Sequence, residues 1–173
     1  MVQSAHIHED YPAHLLGGEI ARYLATHKSD AYEIPLERHQ VLLTADTIVW
    51  HQGRELGKPA DREEAIGMIA LLSGDTHQVF TGVCLRSAWA RRAFYVSTDV
   101  VFSRLDQKEI EHYVDRFPPF DKAGAYGIQE WIGHIAVEHI SGSYFNVMGL
   151  PVQKVYNELK AITGIKNRRI RNE

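Results

Sequence analysis

Three observations predict an α/β fold for this chain. Helical and extended periodicities alternate along it, capping residues mark the helix starts, and the most apolar run, Val41–Trp50, has the length and β-branched content of a strand. Two adjoining apolar segments around 79–102 read as a hairpin. The expected architecture is a single-domain, mixed, twisted sheet flanked by helices.

The elements follow in order. Ile20, Tyr23, Leu24, His27 and Ala31 recur at helical spacing within Glu19–Tyr32. Val41–Trp50 is nearly continuous in apolar residues and reads as a strand covered on both faces. Asp61 with Glu64 is a capping box, opening a helix that turns Ala65, Ile66, Ile69 and Leu72 inward and stops at Gly74. Val79–Leu85 is a second apolar strand. Phe94, Val96, Thr98, Val100 and Phe102 alternate, as in a half-buried strand. Asp106 with Glu109 opens a third helix, with Ile110, Tyr113, Val114 and Phe117 inward and Pro118-Pro119 ending it. Trp131–Ile140 reads as a further strand. Pro151 suits the first turn of a last helix carrying Val152, Val155, Tyr156, Leu159 and Ile162. No repeat or linker interrupts the pattern, so one domain is expected over residues 1–165, with 166–173 as a basic tail.

Bulk properties narrow the function. A chain of 173 residues can bury its own core, and its longest apolar run is far too short to span a membrane. The formal charge of −3 weighs against broad nucleic-acid binding, so any anionic ligand needs a local cluster of bases. Cys84 is the only cysteine, which excludes an intrachain disulfide; within an apolar strand it reads as core. Met1–His8 has no basic stretch ahead of an apolar one, and a cytoplasmic location is expected.

Asp46 is the exception within the apolar run. A carboxylate there costs several kcal/mol unless a cation, a metal or several donors compensate it. Twelve residues on, Gly57-Lys58-Pro59 presents a lysine between turn residues. Together they read as a metal and phosphate site, or else as a capped turn and a solvated base. Three polar loops supply further groups: Thr76–Gly82, Asp121–Gln129 and Ser141–Asn146. Their glycines let backbone N–H groups approach a ligand. Two lysines, two acids and several neutral donors suit phosphoryl chemistry, which depends mostly on positioning and charge neutralisation.

Five blocks carry a resemblance. Ala45-Asp46-Thr47, Leu56-Gly57-Lys58-Pro59, the stretch from Leu72 to Gly82, Asp121–Gln129, and Gly142-Ser143-Tyr144-x-Asn146-Val147-x-Gly149-Leu150-Pro151 stand in the order and spacing of the Maf family. The likeness runs from about Glu9 to about Ile162. Tyr11-Pro12 and Gln129–Gly133 look most like its Bacteroidetes branch.

The resemblance implies a Maf/ITPase-like fold and a cytoplasmic nucleoside triphosphate pyrophosphatase. Such an enzyme cleaves between the α and β phosphates with a divalent metal, Mg, Mn or Co. Asp46 falls on the family's proton acceptor and would share the metal with Glu9. Lys58 and Lys122 would neutralise charge on the phosphates. Thr47 and Gln129 match positions tied to nucleotide choice, and the Gly-Ser-Tyr-x-Asn and Gly-Ile-Gln patterns resemble the branch acting on dTTP and UTP. A homodimer, and no nucleic-acid or membrane partner, is implied as well. The family's opening strand and Ser-x-Ser-x-Arg-Arg loop are not among these 173 residues, and a truncated start is the expectation. A nucleotide-binding regulatory protein with weak catalysis, linked to cell division, is the alternative.

Other residues have plainer readings. His6-x-His8 is expected to be solvated, and Trp50 and Trp131 to be packing aromatics. Gln78 stays open between substrate contact and tying down a strand end.

Overall fold

The computed structural model describes residues 10–164. Its elements are α1 (Gly18–Asp30), β1 (Leu42–His51), β2 (Arg54–Leu56), α2 (Arg62–Leu72), β3 (Thr76–Arg86), β4 (Arg91–Phe102), α3 (Gln107–Arg116), α4 (Trp131–Ala136), β5 (Val137–Ser141), α5 (Tyr144–Val147) and α6 (Val152–Thr163). The strands form one sheet in the order β2-β1-β3-β4-β5. Helices pack against it, so the α/β expectation holds. Every pairing among the described strands is antiparallel, so the parallel pairs that a mixed sheet implies are not among them.

Side chains alternate across the sheet and separate two cores. One face carries Ile48 and Phe80 under Ile20, Ala21 and Leu24 of α1. Gly82 allows that close docking: a Cβ there would lie 2.0 Å from the Ala21 carbonyl oxygen. The opposite face carries Val49, Val79, Val100 and Phe102 against α2, α3 and α4. The predicted hairpin is β3–β4, turning through Ser87–Ala90, where Ser87 N–H donates to Ala90 O at 2.8 Å.

Both helix starts are as read, but only one of the two capping boxes is complete. Asp106 and Glu109 form the complete reciprocal box, while Asp61 accepts from Glu64 N–H and the Glu64 carboxylate reaches back one residue further, to Ala60 N–H.

Five readings need correction. Phe117 does not turn inward with Ile110, Tyr113 and Val114: it is 37 % exposed at the end of α3, stacked on Tyr113. Trp131–Ile140 is not one strand: its first six residues are α4, which buries Ile132 and Ala136 on one helical face, and only Val137 onward is extended. β1 is covered on both faces only at its end, where Ile48, Val49 and His51 are buried; earlier in the strand Leu43 is 37 % exposed. On α1, Tyr23 and His27 stack outward on each other, while Ala21, Ala25 and Ser29 complete the buried stripe with Ile20 and Leu24. On α6 only Val155 and Ile162 are buried; Val152 and Tyr156 face solvent. The short β2 had no apolar pattern to announce it and forms because Gln52 and Gly53, both at positive φ, turn the chain back.

Candidate active site

β2 pairs with β1 only at Val49–His51, so among the described strands the edge of β1 before Val49 is uncovered. A cavity of about 350 Å³ opens beside it. Five segments line it: β1 from Ala45 to Val49, Lys58 after β2, Val79 of β3, the loop between Asp121 and Gln129, and Val147–Gly149 at the end of α5. Asp46, Thr47, Lys58, Lys122 and Gln129, singled out in the sequence, all line this cavity. Glu9, His6 and His8 lie outside the described residues.

The two lysine loops meet through the backbone. Gly124 N–H donates to Gly57 O at 3.0 Å, tying the loop of Lys122 to that of Lys58. Gly124 sits at φ 67° with Val49 about 3 Å from where a Cβ would stand, so only glycine fits this crossing without strain.

Asp46 has its charge compensated from α1. Its Oδ2 lies 2.9 Å from Lys28 Nζ, and its Oδ1 accepts Thr47 N–H at 2.9 Å. That ion pair is what a carboxylate in an apolar strand requires. Lys28 was missed in the sequence, where His27-Lys28 reads as a solvated helix end.

Lys122 is gripped by acids. Its Nζ lies 2.8 Å from Asp121 Oδ1 and 3.2 Å from Glu130 Oε1. Burial lowers its pKa, but the bonds to Asp121 and Glu130 outweigh that and raise it, so the ammonium stays charged. The Lys122 hydrogen bond in turn holds Asp121 below the usual carboxylate range, with Lys58 adding to the effect.

Thr47 is anchored by a hydroxyl chain. Thr81 Oγ1 donates to Asn146 O at 2.8 Å, and Thr47 Oγ1 lies 2.9 Å from Thr81 Oγ1. A hydroxyl has one proton. With the Thr81 proton committed to Asn146, Thr47 donates to Thr81 and keeps its lone pairs as acceptors at the cavity wall. Asn146 is fully buried and pins α5 to the sheet through Val79 O and Thr98 Oγ1, both at 3.0 Å.

Gln129 is exposed at the cavity mouth. Gln78 does not line the cavity and donates to Asp99 Oδ1 at 3.0 Å, across the β3–β4 pair. Trp50 packs against the cluster of Ile20, Ile48 and Phe80, and Trp131 lies edge-on to His112; neither lines the cavity. Cys84 is core, as read. No helix among the described residues is long and apolar enough to cross a membrane.

Residues 1–162 match the family described as Maf-like protein. A dTTP/UTP pyrophosphatase of Bacteroides thetaiotaomicron is 53 % identical over 156 residues, which cover 90 % of this chain and 81 % of that protein. One of Bacteroides fragilis is 54 % identical with the same coverage. Another, of Porphyromonas gingivalis, is 53 % identical over 89 % of this chain and 78 % of its own length.

Proposed function

The chain belongs to the Maf-like protein family, and from that membership we propose that it hydrolyses dTTP and UTP to the nucleoside monophosphate and pyrophosphate. The observation that carries the proposal is the convergence of Asp46, Lys58, Lys122, Thr47 and Gln129 on one cavity.

In this reading water attacks the α phosphorus. The bond from that phosphorus to the oxygen bridging the β phosphate breaks, pyrophosphate leaves with the electron pair, and Asp46 takes the water proton. Thr47 N–H and Lys28 hold the Asp46 carboxylate in a fixed orientation. Lys58 and Lys122 offset charge building on the leaving phosphates. The Thr47 acceptor and the Gln129 amide complement the edge of uracil or thymine, an N–H between two carbonyl oxygens.

A hard divalent cation fits this donor set, because such ions bind through one or two carboxylates together with substrate phosphates. Asp46 would hold it, with Glu9 as the second carboxylate. When bound, the ion supplies charge neutralisation and lowers the pKa of coordinated water, which an ordinary carboxylate needs as a base.

The test is a panel of dTTP, UTP, ATP and GTP with Mg salts, scored by pyrophosphate release. Pyrimidine triphosphates should lead, with equimolar monophosphate and full inhibition by a chelator. Saturable nucleotide binding with no pyrophosphate from any substrate would replace the proposal with a regulatory, binding-only role.

A further inference from the structure

Beside the cavity, Tyr113 of α3 and Lys122 of the following loop close on one carboxylate. Glu130 Oε1 faces Lys122 Nζ at 3.2 Å, and its Oε2 accepts the Tyr113 hydroxyl proton. The Tyr113 oxygen accepts Gly127 N–H at 3.0 Å. The Glu130 backbone N–H donates to Gly127 O at 2.9 Å, and its carbonyl begins α4 by accepting from Gly133. The packing leaves no slack: a Cβ on Gly127 would lie 2.8 Å from Glu130 Cδ and 3.1 Å from Lys122 Cε.

The two acids on Lys122 are not equivalent. The Asp121 side chain is 78 % exposed and that of Glu130 is 23 % exposed. A solvated partner screens and moves, whereas a half-buried one tied to a fully buried tyrosine keeps its place.

We propose that Glu130 is a positioning residue, fixing the Lys122 ammonium and the Gly127–Gln129 backbone in one frame. Read with the function above, on which its purpose rests, that frame sets the distance between the phosphate end and the base end of the site. Glu130 touches neither end itself. It acts through Lys122 on one side and through Tyr113 and Gly127 on the other.

A double-mutant cycle with Lys122→Ala and Glu130→Gln tests this, read by calorimetric binding of α,β-imido-dTTP with Mg. Each single variant should weaken binding by about tenfold, the scale of one charge-assisted hydrogen bond. The double variant should lose less than the two single losses combined, because with Lys122 gone Glu130 acts only through Tyr113 and Gly127. Tyr113→Phe, which keeps the buried ring, should reproduce the lowered dTTP-to-ATP preference of Glu130→Gln. Additive losses, or a Glu130→Gln variant that melts lower yet binds like its parent, would overturn the proposal. The frame is also visible without ligand. The Gly127 amide resonance should move in Glu130→Gln as well as in Tyr113→Phe, which removes its acceptor outright, and an unmoved resonance in Glu130→Gln overturns the proposal on its own. A folded parent that neither binds nor cleaves dTTP would sink the function above while that resonance still decides the frame.

Discussion

Lys28 on α1 and Asp46 on β1 form an ion pair of 2.9 Å with both side chains largely buried. Asp46 stands opposite Gly82 in the sheet, at the place where the missing side chain lets α1 settle onto the strands. The helix that builds one core thus also delivers the cation for the acid of the site. Lys28→Ala should cost about 1–3 kcal/mol of stability, the scale of a polar group deprived of its partner. Turnover should fall further than stability explains, because the carboxylate loses a charged anchor. Urea unfolding and pyrophosphate release on one preparation check this; unchanged turnover would remove Lys28 from the site.

Asp46→Asn isolates the charge. The amide keeps size and hydrogen bonding, so the fold should survive, but it cannot take a proton from water. Turnover of dTTP should fall at least about a hundredfold, the usual scale for loss of a general base. Half of the parent's turnover in a folded Asp46→Asn variant would end the proposed role.

How far the sequence reached depended on whether a signal was local. Asp46 stood out because a charge in an apolar run must be compensated, and Lys58 and Lys122 because glycines flank or follow them. Lys28 gave no such signal, since a cation in the last turn of a helix is favourable without any partner. Glu130 was equally silent: its role depends on Tyr113, seventeen residues away, reaching it across the fold. Trp131–Ile140 misled because six helical residues and four extended ones adjoin without a glycine or proline between them. The open side of β1 was illegible for a related reason. Apolar residues that line a ligand cavity look like those that line a core.

His77 makes the stability depend on pH. It is buried on β3, with Nε2 2.8 Å from the Tyr126 hydroxyl. Burial lowers its pKa to about 4, with His51 adding to the effect and Asp75 opposing it. Above the unfolded value of about 6.5 both states are neutral at this ring. As pH falls from there towards about 4, the unfolded chain takes the proton and the folded one does not, so stability drops. Roughly 3 kcal/mol is lost across that window, by the linkage of pKa to folding. His77→Gln, which cannot titrate, should lose less between pH 7 and pH 4 than its parent in urea unfolding. Parallel curves for the two would place the pH dependence elsewhere.

Nucleotide choice should divide between Thr47 and Gln129. Thr47 presents an acceptor because Thr81 spends its proton on Asn146 O. Gln129, exposed at the mouth, offers a donor and an acceptor that become buried only when a base covers them. Removing one partner of a buried hydrogen bond costs about 1–3 kcal/mol, and 1.4 kcal/mol is a decade in kcat/KM. Gln129→Ala should therefore narrow the dTTP-to-ATP ratio by roughly tenfold. Thr47→Val keeps the shape, removes the acceptor, and leaves Thr81 bonded to Asn146, so it should narrow the ratio without lowering the melting temperature by more than a few degrees. If both variants lose dTTP and ATP turnover in equal proportion, these residues serve catalysis or packing, and the base is read by the backbone of the Gly127–Gln129 loop.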